Sequence, residues 1–258
     1  MLRVRPIHFT SRLDQWERLL TGLGLVKVVN EPTWREFDAG SGRLALHLVE
    51  AGAPEDGTTS FGVEVGDLPE FARRTAEAGA AEGGTSAELI DADHGPSCRV
   101  SAPDGFTFLA DPAVRAADGS WGGTAAADPD ITVVLVWFAG DAVAAAHTLR
   151  NIGARPRPVR APGGGSGGAD TNTAESETFT AKNGGVLMVG TGAGAGRAGF
   201  GFEYAGDFAA LRGRLAAAGL EAAAAGETAI PNLHVANPDA GGQAARPPVW
   251  ISAAPPAG

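Results

Sequence analysis

The chain has 258 residues, 44% of them hydrophobic, and a formal net charge of −10 with 20 lysines and arginines. This apolar content argues against a disordered chain and suffices for two cores of roughly 110 to 125 residues each, and the lack of a basic cluster argues against nucleic acid as a partner. No run approaches the roughly 18 apolar residues of a membrane-spanning helix, Met1 to Pro6 has no signal-peptide core, and the single cysteine, Cys98, excludes an intramolecular disulfide, so the expectation is a soluble cytoplasmic protein with neither a nucleic acid nor a membrane as partner.

Arg3 to Thr10 alternates as a strand does, with Arg3, Arg5, Ile7 and Phe9 on one side and Val4, Pro6 and His8 on the other. Ser11 with Asp14 three residues on resembles a capping box. It opens a helix whose apolar stripe is Leu13, Trp16, Leu19, Leu20 and Leu23 and which Gly22 and Gly24 end. Trp34 to Asp38 and Arg43 to Val49 read as strands around Gly40-Ser41-Gly42. Ser60 to Val65 is the next strand. Asp67-Leu68-Pro69-Glu70 then supplies an N-cap, a first-turn proline and an N3 carboxylate for a helix running to about Gly79. Strands follow at Ala87 to Asp91, Ser97 to Ser101 and Phe106 to Ala110, and Asp118-Gly119-Ser120-Trp121-Gly122-Gly123 marks a linker.

From Ile131 the plan repeats. Leu2 to Gly24 maps onto Ile131 to Gly153 without a gap, Phe61-Gly62-Val63-Glu64-Val65 returns as Phe200-Gly201-Phe202-Glu203-Tyr204, and Cys98 to Gly105 returns as Leu233 to Ala240. The fold class is therefore α+β. It comprises two tandem domains, 1–112 with units of about 1–50 and 59–112, and 131–253 with units of about 131–192 and 197–253, joined by a linker over 113–130. Pro162 to Gly168 is a flexible insertion. As a phosphate loop it lacks the Gly-Lys-Ser/Thr ending. A fused duplication favours a monomer with an intramolecular pseudo-dimer over a homodimer.

Four such units, with Leu23-Gly24-Leu25 after the first helix and Pro103-Asp104-Gly105-Phe106 before a final strand, resemble the vicinal oxygen chelate superfamily, which includes glyoxalase I, extradiol dioxygenases and the bleomycin and fosfomycin resistance proteins. The resemblance implies that each pair of βαβββ units forms a curled mixed sheet, a glyoxalase/bleomycin-resistance-type cup with its ligand on the concave face and helices outside. It also implies metal-ligand positions, which fall on Val4, His47, Ser60 and Leu109 in the first half. In the second they fall on Val133, Val189 or Met188, Gly199 and a residue near Ile251. Only His47 could bind a metal strongly, and a catalytic ion needs about three ligands, so no cofactor is expected, a divalent metal being the disfavoured alternative.

Strand parity places Val4, Pro6, His8, Ala45, His47, Ser60, Gly62, Glu64, Thr107 and Leu109 in the first cup, and Val133, Leu135, Trp137, Gly201 and Glu203 in the second. His8, His47, Glu64, Trp137 and Glu203 are the candidate ligand-binding residues, with His8, His47 and Glu64 the candidates for acid/base work. Buried glutamates at 64 and 203 need partners, for which Arg35 and Arg99 are candidates. His94, His147, His234 and Cys98 are given no role. The expected function is metal-independent binding of a small organic molecule, the sequestration or handling of a metabolite or antibiotic. The alternative is a glyoxalase-like lyase or isomerase, or less readily a dioxygenase, using His8, His47 and Glu64.

Overall fold

A computed structural model describes residues 1–114, 124–158, 177–191, 196–224, 231–241 and 246–255. The linker motif at 118–123 and the glycine-rich insertion at 162–168 lie outside these residues. The first half contains β1 (Leu2–Val4), β2 (Ile7–Thr10), α1 (Leu13–Leu23), β3 (Val26–Asn30), β4 (Trp34–Asp38), β5 (Arg43–Leu48), β6 (Thr58–Ser60), β7 (Gly62–Val65), α2 (Leu68–Ala81), β8 (Ser86–Ala92), β9 (Gly95–Ser101) and β10 (Thr107–Pro112). The second contains β11 (Ile131–Ala139), α3 (Ala142–Asn151), β12 (Arg155–Pro156), β13 (Glu177–Thr180), β14 (Val186–Thr191), β15 (Arg197–Tyr204), α4 (Phe208–Ala217), β16 (Ala222–Ala224), β17 (Asn232–Val235), a 3-10 turn (Pro238–Gly241) and β18 (Val249–Ala253).

The second half is one mixed sheet in the order β12-β13-β14-β11-β15-β18-β17-β16. The first half has the same order cut in two, β3-β4-β5-β2-β6 and β1-β7-β10-β9-β8. The cut falls where β1 passes into β2 through Arg5-Pro6 and β6 into β7 through Phe61. Pro6 has no N–H for the ladder. Its carbonyl still accepts from Ala45 N at 2.9 Å, and Arg5 N donates to Gly62 O at 3.1 Å. Gly62 is required there, because a Cβ would lie 2.7 Å from the Arg5 carbonyl oxygen.

Helix α1 buries the expected stripe and ends at Gly24, whose φ of 95° is left-handed. Its start differs from the expected cap. Arg12 holds the N-cap position without a side-chain bond, because Ser11 gives both its N–H (2.8 Å) and its hydroxyl (3.0 Å) to Asp56. Asp67 does cap α2, accepting from Glu70 N at 2.9 Å. The sequence reading did not place β3, whose residues are half-buried or exposed and carry no clear alternation.

The halves are joined by reciprocal contacts. Val4 N donates to Gly184 O and Val133 N donates to Ser41 O, both at 2.9 Å, while α1 packs on α4 and α2 on α3. Leu2, Val4, Leu44, Leu46, Val63 and Val65 of the first half share one apolar core with Ile131, Val133, Leu135, Trp137, Phe179 and Phe202 of the second. Burying this helix-side face is the main driving force for the two-fold arrangement.

Candidate functional site

Strand register sets which side chains share the face opposite the core. In the first half β1 pairs Arg3 with Glu64, β10 pairs Asp111 with Glu64 and Leu109 with Gly62, and β9 sets Arg99 beside Leu109. Across β2, β5 and β4, Phe9 lies beside His47 and His47 beside Trp34, while Asp38 faces Arg43. Arg3, Arg5, Ile7 and Phe9 thus point to the concave side. Val4 and His8 point to the core, which corrects the parity expected for this strand.

The floor of the first concave face is an ion-pair lattice. Arg5 bonds Glu36 at 2.8 Å and also Asp111, and stands 3.8 Å from Glu64. Arg3 bonds Glu64 at 2.5 Å. Arg43 reaches Asp38 at 2.6 Å, Glu36 at 2.9 Å and Glu64 at 3.5 Å. Burial alone would loosen the Arg43 proton, but the bond to Asp38 and the charges of Glu64, Asp38 and Glu36 hold its pKa above the ordinary value. Asp111 further accepts from Ser97 at 2.7 Å and lies 3.0 Å from His94 Nε2. The arginines of Glu64 are therefore Arg3 and Arg43, with Arg5 nearby. Of the expected candidates, Arg35 pairs with Asp14 and Glu17, and Arg99 lies 3.9 Å from Glu88.

His47 does sit on this face, its ring 5.3 Å from Phe9 and 5.7 Å from Trp34. His47 and Glu64 share the face, and His8 does not join them. In the second half the same registers set Thr132, Glu203, Ser252 and Asn232 in one transverse row. Val134, Val136 and Val186 pack with Phe138, Met188 and Trp250 beside it. Glu203 takes a two-pronged bond from Arg157 at 2.9 and 3.1 Å. The neighbour of Phe138 in β14, hence the counterpart of His47, is Gly190, not Val189 or Met188. Gly201 leaves room for an aromatic ring, since a Cβ there would lie 2.1 Å from the Trp250 indole. Trp137, like His8, points into the core, corrected by the same one-residue slip.

A cavity of about 1760 Å³ runs over both concave faces, with Arg5, Trp34 and His47 in one wall and Phe138, Met188 and Trp250 in the other. It also reaches the seam between the halves at His8 and Thr59. There Asp239, buried, accepts from Thr10 Oγ1 at 2.6 Å and Trp16 Nε1 at 2.9 Å and lies 2.7 Å from His8 Nε2. Burial would raise the Asp239 pKa, but the bonds from His8 and Thr10, the charge of His8 and the bond from Trp16 together lower it. In the related seam Trp137 stacks on Phe106 with ring centroids 4.4 Å apart, and its Nε1 has no partner among the described residues.

The reading by residue type missed Arg3, Arg5, Phe9, Trp34, Phe138, Trp250 and Asp239. The available signal was the repeat itself, which aligns Trp250 with the neighbourhood of Leu109 and Asp239 with Asp104. Cys98 is buried, and desolvation pushes its thiol up to about 11 despite a backbone bond at Glu88, consistent with the absence of a nucleophilic role.

No family profile matches the chain, and no curated protein matches it. Solved structures do. A catechol 2,3-dioxygenase superposes with a TM-score of 0.59 at 15% identity over 98% of this chain and 91% of its own. The Mn(II)-bound glyoxalase from Novosphingobium aromaticivorans gives 0.56 at 12% identity, over 97% and 80%. The 2,2',3-trihydroxybiphenyl 1,2-dioxygenase from Sphingomonas wittichii strain RW1 gives 0.53 at 14%, over 98% and 89%. The fold is thus a tandem βαβββ arrangement shared with these dioxygenase and glyoxalase structures. The residues of this chain do not fit the divalent metal that such a fold can hold. Glu36, Glu64 and Asp111 are each bonded to an arginine, and among the described residues no group of three His, Cys, Asp or Glu is placed around a common ion position. Among the described residues no helix is long and apolar enough to cross a membrane.

Proposed function

We propose that this protein binds a small organic molecule on its concave faces without a metal, as a carrier or sequestering protein for a metabolite or antibiotic. The observation that carries this reading is the pairing of Asp111 and Glu203, which border the cavity, with Arg5 and Arg157, beside walls of Trp34, His47 and Phe9 on one side and Phe138, Met188 and Trp250 on the other. Paired carboxylates are poor ligands for an added cation, whereas aromatic walls bury a planar molecule and favour offset stacking. Of the expected ligand residues, His47 is within reach of a bound molecule, and Glu64 and Glu203 act by fixing the arginines beneath it. A lyase or isomerase built on His8, His47 and Glu64 together has no support, since His8 points to the other side of its sheet.

Elemental analysis of the purified protein, paired with mass spectrometry of its denatured extract, tests the proposal. The expected result is an organic molecule in stoichiometric amount with manganese, iron, nickel and zinc far below one per chain. One equivalent of any of these metals, retained through dialysis and lost with Glu64→Gln, would overturn it.

A further inference from the structure

The seam between the halves holds a chain of hydrogen bonds that the binding reading does not use. Asp239 Oδ2 lies 2.7 Å from His8 Nε2, and His8 Nδ1 lies 3.0 Å from Thr59 Oγ1. A carboxylate held ionised can only accept, and Asp239 already accepts from Thr10 and Trp16. In neutral His8 the proton therefore sits on Nε2 and is donated to Asp239. Nδ1 is left as an acceptor, and the Thr59 hydroxyl donates to it. This is the orientation a hydroxyl needs to lose its proton to a base as it attacks. His8 and Thr59 both border the cavity, and Thr59 is half-buried rather than sealed.

The duplication supplies an internal comparison. The register that faces His8 with Thr59 faces Trp137 with Ala198 in the second half. The repeat likewise sets Ala139 and Ala145 where Thr10 and Trp16 stand, and Asp104, the counterpart of Asp239, is exposed and among the described residues bonds its own turn at Phe106 N. Base, hydroxyl, carboxylate and the two donors that hold the carboxylate occur together in one seam, and every partner of the carboxylate is missing from the other. Sheet packing alone is satisfied equally well by Trp137 on Phe106.

We propose that Thr59 is a nucleophile for acyl transfer from small carboxylic esters entering the cavity, with His8 as its general base and Asp239 as the residue that positions His8. Thr59 Oγ attacks the ester carbonyl carbon and its proton passes to His8 Nδ1. The tetrahedral adduct then breaks its bond to the leaving oxygen, which takes that proton, and an acyl-threonine remains. Water attacks the acyl group with His8 again as base, releasing the acid and restoring Thr59. No oxidant, reductant or metal enters the balance.

p-Nitrophenyl acetate tests this on the full chain. The expected result is a burst of one equivalent of p-nitrophenolate per chain ahead of slower hydrolytic turnover, with the acetyl group trapped by acid quenching on the peptide containing Thr59. Thr59→Val, which exchanges one heavy atom and leaves the His8 and Asp239 pair in place, abolishes the label, and Thr59→Ser keeps it. Asp239→Asn slows it about 100-fold or more. Acetylation confined to lysines or the N-terminus, or a Thr59 label indifferent to Asp239→Asn, overturns the proposal, and neither outcome touches the binding reading.

Discussion

The two concave faces are built from equivalent strands and hold opposite chemistry. By register, Arg3, Arg5 and Arg43 of the first face correspond to Thr132, Val134 and Val186 of the second, and Glu36, Asp38 and Asp111 correspond to Thr178, Thr180 and Ser252. Only the glutamate, Glu64 or Glu203, stands in both. Buried charges occur as a set or not at all, because each is tolerable only with its counter-charges in place. One scaffold thus carries a floor stiffened by ion pairs and a second floor of packed apolar side chains.

The sharpest way to break this comparison is to remove its central cation. Arg5→Ala leaves Glu36 and Asp111 buried without their shared partner and is expected to destabilise the protein by about 3–5 kcal/mol. Val134→Ala, at the equivalent place, removes two methyl groups and costs about 2 kcal/mol. Urea midpoints of the two variants check the order, and equal shifts would mean that the lattice is solvated. A smaller contrast concerns the glycines. An alanine at Gly62 meets the Arg5 carbonyl oxygen at 2.7 Å, whereas one at Gly201 meets the Trp250 ring at 2.1 Å. A ring can swing into the cavity and backbone cannot. Overpacking costs of about 1–3 kcal/mol are expected, with Gly62→Ala at the upper end and only Gly201→Ala changing the tryptophan fluorescence.

The seams extend the comparison to pH. The Asp239 carboxyl is held below its ordinary value of 3.8, so the stability it supplies is complete above that value and is lost as pH falls through the lower pKa of the folded state. Melting temperatures below about pH 4 should therefore fall less steeply in Asp239→Asn than in the parent. The Trp137 and Phe106 seam carries no such group, and Phe106→Leu should leave the acid limb unchanged.

The duplication, the helix stripes and most strands were legible in the sequence because they rest on local periodicity and on similarity between the copies. The face of each first strand was not. In Ile131 to Ala139 both faces are apolar, so alternation gives no direction, and a slip of one residue sent Trp137 to the wrong side. In Arg3 to Phe9 the alternation was visible, but the arginines find their carboxylates 31, 61 and 106 residues away. Without those partners an arginine reads as solvent-facing and a histidine as site-facing. Asp239 meets His8 across 231 residues, a contact that no strand pattern announces.

A further contrast is expected at the residue that both faces share. Glu64 is 3% exposed and touches Arg3, Arg5 and Arg43, whereas Glu203 is 13% exposed and has Arg157. Glu64→Gln leaves Arg3, itself 2% exposed, with a neutral partner in a dry site, for which about 3 kcal/mol is expected. Arg157 is freer to turn towards water, so Glu203→Gln should cost about 1 kcal/mol. Thermal unfolding of the two variants distinguishes these values. If they are equal, the shared glutamate has one role set by the fold. If they differ as expected, the same residue type persists in both copies for unequal reasons, and its recurrence alone says nothing about a shared site.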